Sequence, residues 1–529
     1  MADDAAADGE RVRAAEVIGA LCLATDLGMG FPFEHGLQST LVATRLADTL
    51  GVDPATASQT YYACLLSHSG CTTDAHVTVE IFGGSLATHL NPVMYGSTRE
   101  VVTGLLRALP DPERPALLRA SQAARRLPTM ARRKRPHFTA MCEVAQMLAE
   151  GVGLPRSVHG LLAHLSERWD GKGPLGLAKG EAIPLPMRIV HVAVDATFQR
   201  LLGGEEHAVR VVREHGGRGL DPQVAACLAD NAAEIFALDA EASAWEETLA
   251  CEPRPHQILE GEAIDRSLAA MGDFADLISP YLTGHSAGVA DLASAAAERC
   301  RIDDPVALRR AALVHDLGRV AVGAGTWQKP GPLTAGEREQ VRLHPYHTER
   351  ILSRSPFLSA LAAVGCAHHE CLDGSGYHRG SGGAELSPAA RVLAAADTYH
   401  AMTEPRPHRE PLSPERAAEI LGEAASAGRL DADAVAAVVE AAGQRAPPIE
   451  RQAGLTEREV EVVAMLARGL QTKQVALALG ISVKTADHHV QNAYRKMGVS
   501  TRAAATLFAM QHGLAAWGEL PMARPASRS

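Results

Sequence analysis

The most constraining feature of this 529-residue sequence is an internal duplication. The stretch ERWDGKGPLGLAKGEAIPLPMRIVHVAVDATF at residues 167–198 parallels ECLDGSGYHRGSGGAELSPAARVLAAADTYHAM at residues 370–402. Two further pairs keep the same order: FEHGLQSTLVATRLADTLGV with TGHSAGVADLASAAAERCRI, and YYACLLSHSG with RAALVHDLGR. A repeated unit of roughly 200 residues is too long for a solenoid, so the sequence predicts two related domains.

The composition favours helices for both copies. Aromatic residues make up only 4% of the chain, whereas hydrophobic residues make up 46%. The core must therefore be built from Ala, Leu and Val, and strand-forming clusters are scarce. Stretches such as VALRRAALVHDL have the apolar spacing of helices. We therefore predict an all-α fold of tandem helical domains.

Several features predict a cytoplasmic protein. No window approaches the ~18 apolar residues that a membrane span requires. The first ten residues, MADDAAADGE, are acidic and lack the apolar core of a secretory signal. The nine cysteines include no CxxC pair, which is typical of a reducing compartment.

Two breaks divide the chain. GQRAPPIERQAG at 443–454 has two prolines and no apolar periodicity, and CEPRPHQ at 251–257 is a second interruption. The predicted parts are a first domain at 1–250, a second domain at 255–445, a linker at 446–452 and a third domain at 453–517.

Imidazole and carboxylate side chains recur at defined places in the second copy. They are His285, the pair His315–Asp316, His344, the pair His368–His369, and Asp397. Such groups are ligands of zinc, iron and manganese. A single histidine on a helix is usually structural, but seven candidates on separate helices are what a metal site in a helical bundle requires.

Residues 281–410 resemble the HD-GYP family, a branch of the HD-domain metal-dependent phosphohydrolases. The resemblance rests on HSAGVA, AALVHDLGRVAV, QKPGPLTAGEREQVRLHP, HHECLDGSGY and ARVLAAADTYHAMTEPRPHR. It implies an all-helical domain that hydrolyses cyclic dinucleotides, chiefly cyclic di-GMP, at a cluster of two or three metals. The seven side chains would then be metal ligands, with Asp316 bridging and Arg319 completing the catalytic set. Two divalent cations, such as iron or manganese, would clamp the phosphoryl oxygens and turn a bridging water into the attacking hydroxide.

The stretch after the paired histidines resembles the family's signature loop. The resemblance implies that Asp373, Gly374, Gly376 and Tyr377 bind substrate, and glycines let a backbone approach a ligand closely. Three arginines are candidate phosphate contacts, although surface salt bridges are an equally good interpretation of each. They are Arg391, Arg406 and Arg409.

Four positions depart from the family pattern. His378 replaces the proline of Gly-Tyr-Pro, Arg319 replaces a phosphate-binding lysine, and His400 stands where a second aspartate is common. Tyr281 occupies the position at which members with three metals carry glutamate, which favours two metals. The predicted metal ligands are complete, whereas the positions that contact substrate differ from the family.

The first copy lacks most of the ligands. Ser67 and His68 stand where the His–Asp pair should be, and Leu165 and Ser166 replace the paired histidines. The ligand candidates that remain are His35, His137, Asp195 and, one residue out of place, His164. These are too few for a two-metal site, so we predict a degenerate domain with a scaffold or sensory role.

The third domain is a basic module on an acidic protein. Residues 454–517 contain seven Lys or Arg and four Asp or Glu, whereas the whole chain has a net charge of −11. This asymmetry hints at nucleic acid. Four helical patterns are present, with Thr456 and Glu459 forming a capping box before the first and Ser482 capping the third.

The third of these helices has the pattern of a DNA recognition helix. Its predicted apolar stripe is Val483, Ala486, Val490, Ala493 and Met497. The predicted DNA contacts are Lys484, Thr485, His488, Gln491 and Arg495. Through LTEREVEVVAMLARG, VALALGIS, KTADHHV and KMGVSTRAAA the segment resembles the LuxR/NarL-type helix-turn-helix; a helical protein-interaction domain is the alternative.

We interpret the chain as a DNA-binding transcriptional regulator with a metal-dependent phosphohydrolase domain, a phosphodiesterase acting on cyclic di-GMP or a related phosphoester. The expected partners are double-stranded DNA, a nucleotide or cyclic dinucleotide, and a second copy of the chain in a homodimer. Two alternatives stay open. The second domain could sense a nucleotide without turnover, or it could be a dimerisation platform that binds no metal.

Overall fold

The computed structural model describes residues 10–71, 91–109, 115–237, 243–447, 452–512 and 514. Helices dominate these residues, which confirms the predicted all-α fold. None of the described helices combines the length and apolar character needed to span a bilayer. Residues 448–451 of the predicted linker, and residues 513 and 515–517 of the predicted third domain, lie outside the described residues.

The chain divides into two compact units. The first contains the described parts of residues 1–283 together with 317–329 and 350–359, and the second contains those of 284–316, 330–349 and 360–529. The first unit thus runs beyond the boundary predicted near residue 250. It also takes two segments from inside the predicted second domain.

The first unit is built around a buried helix. From Ala14 to Asp26 every residue except Glu16 is buried. The helices up to residue 283 are α1 (Ala14–Met29), α2 (His35–Leu50), α3 (Pro54–Leu65), α4 (Thr98–Ala108), α5 (Ala116–Gly151), α6 (Arg156–His159), α7 (Leu185–His215), α8 (Pro222–Asp230), α9 (Ala232–Ile235), α10 (Ala244–Ala250) and α11 (Glu262–Asp276).

A two-stranded ribbon, which the composition did not predict, closes the first unit. Strand β1 (Arg11–Arg13) pairs antiparallel with β2 (Ile258–Glu260), and Val12 lies opposite Leu259. Nε of Arg13 donates to Glu252 Oε2 at 2.7 Å. The predicted break at 251–257 is therefore a connection within the first unit.

The region from residue 284 to residue 447 continues with nine described helices. They are α12 (His285–Ala297), α13 (Pro305–Val314), α14 (Ala324–Trp327), α15 (Ala335–Arg342), α16 (His344–Leu352), α17 (Pro356–Gly365), α18 (Pro388–Thr403), α19 (Pro414–Ser426) and α20 (Ala432–Ala441). A 3₁₀ helix spans Leu317–Ala321.

The two copies start their corresponding helices in the same way. Helix α2 begins at His35 and α12 at His285, and each follows a residue with positive φ. That residue is Glu34 at 75° in the first copy and Gly284 at 81° in the second. The duplication thus extends to backbone conformation at the first ligand position.

The third predicted domain contains the four expected helices, α21 (Glu457–Ala467), α22 (Thr472–Ala478), α23 (Val483–Met497) and α24 (Arg502–Gln511). The capping box of Thr456 and Glu459 and the cap at Ser482 are both present. Lys496 Nζ lies 2.6 Å from Glu459 Oε2 and ties α23 to α21.

Candidate metal centre

The predicted metal ligands all lie in the second unit, and all but Asp397 are at or near helix ends. His285 opens α12, His315 and Asp316 follow α13, His344 opens α16, His368 and His369 follow α17, and Asp397 lies within α18. All are buried except His369, which is half-buried. The helices thus gather five imidazoles and two carboxylates into one cluster.

Asp316 lies at the centre of the cluster. Its Oδ2 is 2.9 Å from His315 Nε2 and 3.5 Å from His285 Nε2. Its Oδ1 is 3.0 Å from His344 Nε2 and 3.4 Å from His368 Nε2. Because its two oxygens face different pairs of imidazoles, this carboxylate has the placement that a bridging ligand requires.

Asp397 completes one of two ligand groups. Its Oδ1 is 3.1 Å from His285 Nε2 and 3.7 Å from His315 Nε2, and its Oδ2 is 3.7 Å from His369 Nδ1. One group contains His285, His315, Asp316 and Asp397; the other contains His344, His368 and His369. Within each group one potential ligand atom per residue lies within 4.8 Å of the others.

Backbone hydrogen bonds fix the tautomers of three imidazoles. Nδ1 of His315, His344 and His368 lies 2.6, 2.6 and 2.7 Å from the carbonyl oxygen three residues earlier. A carbonyl only accepts, so each Nδ1 carries the proton and each Nε2 of the neutral ring has a lone pair. Nε2 of His344 and Nε2 of His368 are 3.1 Å apart, where facing lone pairs repel unless a cation neutralises them. The donor set therefore fits a divalent transition metal.

The two carboxylates also require positive charge nearby. Burial by itself lowers the pKa of His315, but Asp316 and Asp397 raise it to about 10. Burial raises the pKa of Asp397, yet hydrogen bonds from His285 and His315 hold it well below its usual range. Ionised buried carboxylates need a compensating cation, which either a proton or a metal ion can supply. Protons and metal compete for these ligands, so metal affinity is expected to fall as the pH falls.

Glu404, which the sequence analysis did not identify, supports the site from outside. Its Oε2 lies 2.8 Å from His285 Nδ1 and 2.9 Å from Arg406 Nη2, and its Oε1 lies 3.3 Å from His400 Nδ1. Burial raises the pKa of Glu404, but hydrogen bonds from His285 and His400 lower it to about 2. The ionised carboxylate holds the proton of His285 on Nδ1 and turns Nε2 toward the cluster. The sequence did contain one signal for Glu404: it lies four residues after His400, a spacing that brings two side chains together on one face of a helix.

Glu404→Gln should weaken metal retention by about 10- to 100-fold, the usual effect of losing such a supporting carboxylate. The amide keeps the shape but loses the charge that orients His285. Metal content measured after dialysis against graded chelator tests this, with Glu410→Gln at an exposed position as the matched control. Equal retention by the two variants would contradict a supporting role for Glu404.

The predicted substrate loop depends on glycine at two places. Gly374 has a φ of 75°, and a Cβ at Gly376 would lie 2.5 Å from backbone atoms of the preceding turn. Asp373 is exposed, and its Oδ1 accepts from Ser375 N at 3.0 Å. The glycines thus shape the loop, while Asp373 closes a local turn.

Tyr377 connects the loop to the ligand cluster. Its ring centroid is 4.6 Å from that of His369, and the Arg342 guanidinium lies over the Tyr377 ring at 5.1 Å. Glu370, a second residue that the sequence analysis missed, accepts from the backbone N–H groups of Arg379 and Ser381 at 2.8 and 2.9 Å. The loop is therefore anchored beside His369.

The three predicted phosphate-binding arginines are engaged within the domain. Arg391 lies 3.2 Å from Asp431 and donates to two backbone carbonyls at 2.6 and 3.0 Å. Arg406 pairs with Glu404, and Arg409 donates to two carbonyls at the end of α18 at 2.5 and 2.9 Å. Arg391 and Arg406 thus form salt bridges, as the alternative interpretation expected, whereas the partners described for Arg409 are backbone carbonyls. Phosphate binding by all three residues stays a prediction.

Arg319, the other predicted catalytic residue, belongs to the first unit. It is buried, and its guanidinium lies 5.6 Å from the centre of the Trp327 ring. Trp327 Nε1 donates to the Arg319 carbonyl at 3.2 Å. The catalytic role of Arg319 stays a prediction.

The first copy places different partners around its ligand positions. The His35 ring lies 4.8 Å from Phe31 and 6.2 Å from Phe198, and Asp195 Oδ2 lies 2.7 Å from His215 Nδ1. Among the described residues, every group of three or more close metal-ligating side chains lies in the second unit.

The intact chain should therefore retain about two metal ions rather than four. His35→Ala and Asp195→Asn should leave the metal-to-chain ratio unchanged, because neither residue belongs to a ligand group. Elemental analysis of the purified variants checks this. A fall in metal content with either substitution would mean that the first copy also binds metal.

The predicted recognition helix exposes the expected polar face. Ala486, Val490, Ala493 and Met497 are buried, but Val483 is 49% exposed, so its inclusion in the apolar stripe was wrong. Val483 is the first residue of α23, and the buried positions of this helix begin only at Ala486. The predicted DNA contacts Lys484, Thr485, His488, Gln491 and Arg495 are all exposed.

Side-chain contacts further organise this face. The backbone N–H of Thr485 donates to Ser482 Oγ at 3.1 Å, so Thr485 is part of the helix cap. Asn492 lies 3.1 Å from His488 Nε2 and 2.5 Å from Arg495 Nη2. These contacts orient His488 and Arg495 on the exposed surface.

Comparisons with known proteins support the two predicted family resemblances. The HD domain description matches residues 270–434, and that of bacterial regulatory proteins of the luxR family matches residues 453–509. A 3'3'-cGAMP-specific phosphodiesterase of Vibrio cholerae is 28% identical over 430 residues, which cover 77% of this chain and 90% of the relative. A cyclic di-GMP phosphodiesterase of Pseudomonas aeruginosa is 38% identical over 133 residues, covering 25% of this chain and 32% of that relative.

A solved structure shows the same fold. The crystal structure of a cyclic GMP-AMP specific phosphodiesterase of V. cholerae is similar with a TM-score of 0.56 and 24% identity. The similarity covers 82% of this chain and 98% of that one. The chain therefore carries an HD domain and, after it, a C-terminal helix-turn-helix domain of the luxR family.

Proposed function

We propose that the protein is a DNA-binding transcriptional regulator whose HD domain hydrolyses a cyclic dinucleotide at a centre of two divalent metals. The observation that carries this proposal is the placement of Asp316, whose two oxygens face separate pairs of imidazoles. Divalent cations held there would supply positive charge to phosphoryl oxygens and acidify a water molecule.

The protein's own residues hold and orient the ligands. His285, His315, Asp316 and Asp397 would bind one metal, and His344, His368 and His369, with the second oxygen of Asp316, the other. A further group of His285, His400 and Glu404 is close enough to bind a metal. The hydrogen bonds among these three side chains already satisfy the group, so two metals remain our proposal.

The substrate proposal follows from the relatives. The Vibrio relative, which this chain matches over most of its length, is named for 3'3'-cGAMP, and the Pseudomonas relative for cyclic di-GMP. His378 replaces the proline of the family loop, and its Nε2 lies 3.4 Å from Glu349 Oε2. We therefore propose that both dinucleotides are candidate substrates and that 3'3'-cGAMP is the first to test.

Purified protein loaded with Mn²⁺ or Fe²⁺ should convert one of these dinucleotides to a linear product detectable by chromatography. Removing metal with a chelator should abolish the conversion, and adding metal back should restore it, because the chain's residues only hold and orient the metal. Binding of the intact dinucleotide without any product, in metal-replete protein, would favour the alternative of a nucleotide sensor that controls the luxR-family domain.

A further inference from the structure

The first unit contains a partly open cavity around the positions that correspond to the metal ligands of the second copy. Its volume is about 480 Å³, within the range of roughly 300–1,000 Å³ that small-molecule sites occupy. The wall includes His35, His68 and Asp195, the counterparts of the ligand positions, together with Phe31 and Phe198. The first copy therefore has a cavity at the positions where the second copy has its cluster of metal ligands.

The wall of this cavity is mostly apolar and carries little charge. Among the lining residues that the structure describes, none is Lys or Arg. Burial lowers the pKa of His35, His68 and His191 to about 4, so these imidazoles are neutral near pH 7. Asp195 is engaged by His215 Nδ1 at 2.7 Å and by Gln199 Nε2 at 3.1 Å. The described wall therefore offers no lysine or arginine to compensate the charge of a phosphate group.

One buried polar atom in the wall, Nε2 of His35, has no hydrogen-bond partner among the residues that the structure describes. The His35 side chain is only 3% exposed, so solvent does not supply a partner either. Leaving such a group unsatisfied is costly, because burial removes the hydrogen bonds that water would otherwise supply. A ligand carbonyl or hydroxyl placed beside Nε2 would satisfy it.

We propose that this cavity binds an uncharged, largely apolar small molecule that carries a carbonyl or hydroxyl group, and that the molecule regulates the HD domain. The regulatory part rests on the proposed function. Its structural basis is the segment Val320–Ala324, which lines the cavity and begins four residues after Asp316 in the chain. A ligand that contacts this segment acts on the same stretch of backbone that supplies the bridging carboxylate.

The ligand site is tested on the full chain with N-phenyl-1-naphthylamine, a neutral probe that fluoresces in apolar surroundings. One probe should bind per chain, 1-naphthol should displace it, and the anion 1-naphthalenesulfonate should not. Naphthalene, which lacks the hydroxyl, should compete about 2- to 10-fold more weakly than 1-naphthol, as the loss of one hydrogen bond predicts. His35→Phe should remove that difference.

Cavity-filling variants separate this site from other apolar surfaces. Val194→Phe on α7 and, independently, Ala321→Leu should reduce probe binding by at least about tenfold, since each adds atoms to the space the probe needs. Leu201→Phe, on the same helix but 48% exposed, should bind normally. Unchanged binding in both filling variants, or equal displacement by the anion, would overturn the proposal.

The regulatory part has its own readout. Saturating 1-naphthol should change the rate of dinucleotide hydrolysis by the wild-type chain. The Val194→Phe variant, whose cavity is filled, should hydrolyse the dinucleotide at the same rate with and without 1-naphthol. An unchanged rate in a wild-type chain that binds the probe would overturn regulation while leaving the ligand site intact. A chain that hydrolyses no dinucleotide would instead refute the proposed function, and the fluorescence titration would still decide the ligand site.

Discussion

Asp316→Ala is expected to lose both metals and all measurable dinucleotide hydrolysis. The carboxylate is fully buried and lies within 3.5 Å of four imidazole nitrogens, so its removal leaves five imidazoles around one remaining carboxylate. Both ligand groups lose the negative charge of Asp316, because one of its oxygens faces the first group and the other oxygen faces the second group. Elemental analysis and a hydrolysis assay on the same preparation measure the two losses.

Two controls keep this result interpretable. Asp316→Asn retains the shape of the side chain without its charge and should lose metal to a similar degree. Asp291→Asn, at an exposed position in the same unit, should keep full metal content and activity. DNA binding by the Asp316 variants should be normal, which shows that the chain is folded. Two metals and full activity in Asp316→Ala would show that the ligand assignment is wrong.

Lys484→Ala and Arg495→Ala are expected to weaken DNA binding in different ways. The residues lie at opposite ends of the exposed face of α23, about 16 Å apart at a rise of roughly 1.5 Å per residue. They cannot both contact one base pair, and the N-terminal part of a recognition helix usually meets the bases. We expect Lys484 and His488 to read sequence, and Arg495, which Asn492 holds at 2.5 Å, to bind phosphate.

Affinities for a selected operator and for random duplex, each measured over a range of salt concentrations, separate these roles. Arg495→Ala should weaken both and reduce the salt slope by about one, whereas Lys484→Ala should lower the ratio between them, by roughly 1–3 kcal/mol of discrimination. Arg416→Ala, an exposed charge change in the HD domain, should alter neither. Equal losses from both helix variants on both DNAs would refute the division, and failure of the chain to bind any selected duplex would refute DNA recognition itself.

The sequence predicted the features that depend on residue type and spacing. The clustered imidazoles and carboxylates could be predicted because such side chains are rare inside apolar helices, so each stands out. The exposed face of α23 could be found because buried and exposed positions alternate with the helical period, and only Val483, at the helix start, broke that rule.

Features that depend on tertiary placement could not be predicted in this way. Glu404 looks like an ordinary acidic residue after a helix until folding brings it 2.8 Å from His285. The carbonyl partners of Arg391 and Arg409 likewise could not be predicted, because they depend on how the chain folds around each guanidinium. The cavity could not be predicted from the sequence either. Its wall is formed by residues that are far apart in the chain and meet only in the folded structure.

The interleaving of the two compact units bears on how a domain without metal ligands persists. The chain crosses between the units five times, and residues 317–329 and 350–359 belong to the unit that contains the first copy. Deleting the first copy would separate residues 317–329 and 350–359 from the compact unit to which they belong. A cut at the end of the first copy would therefore divide one compact unit and would not fall between two. The path of the chain thus gives a physical reason why a shortened chain that lacks the first copy should fold poorly.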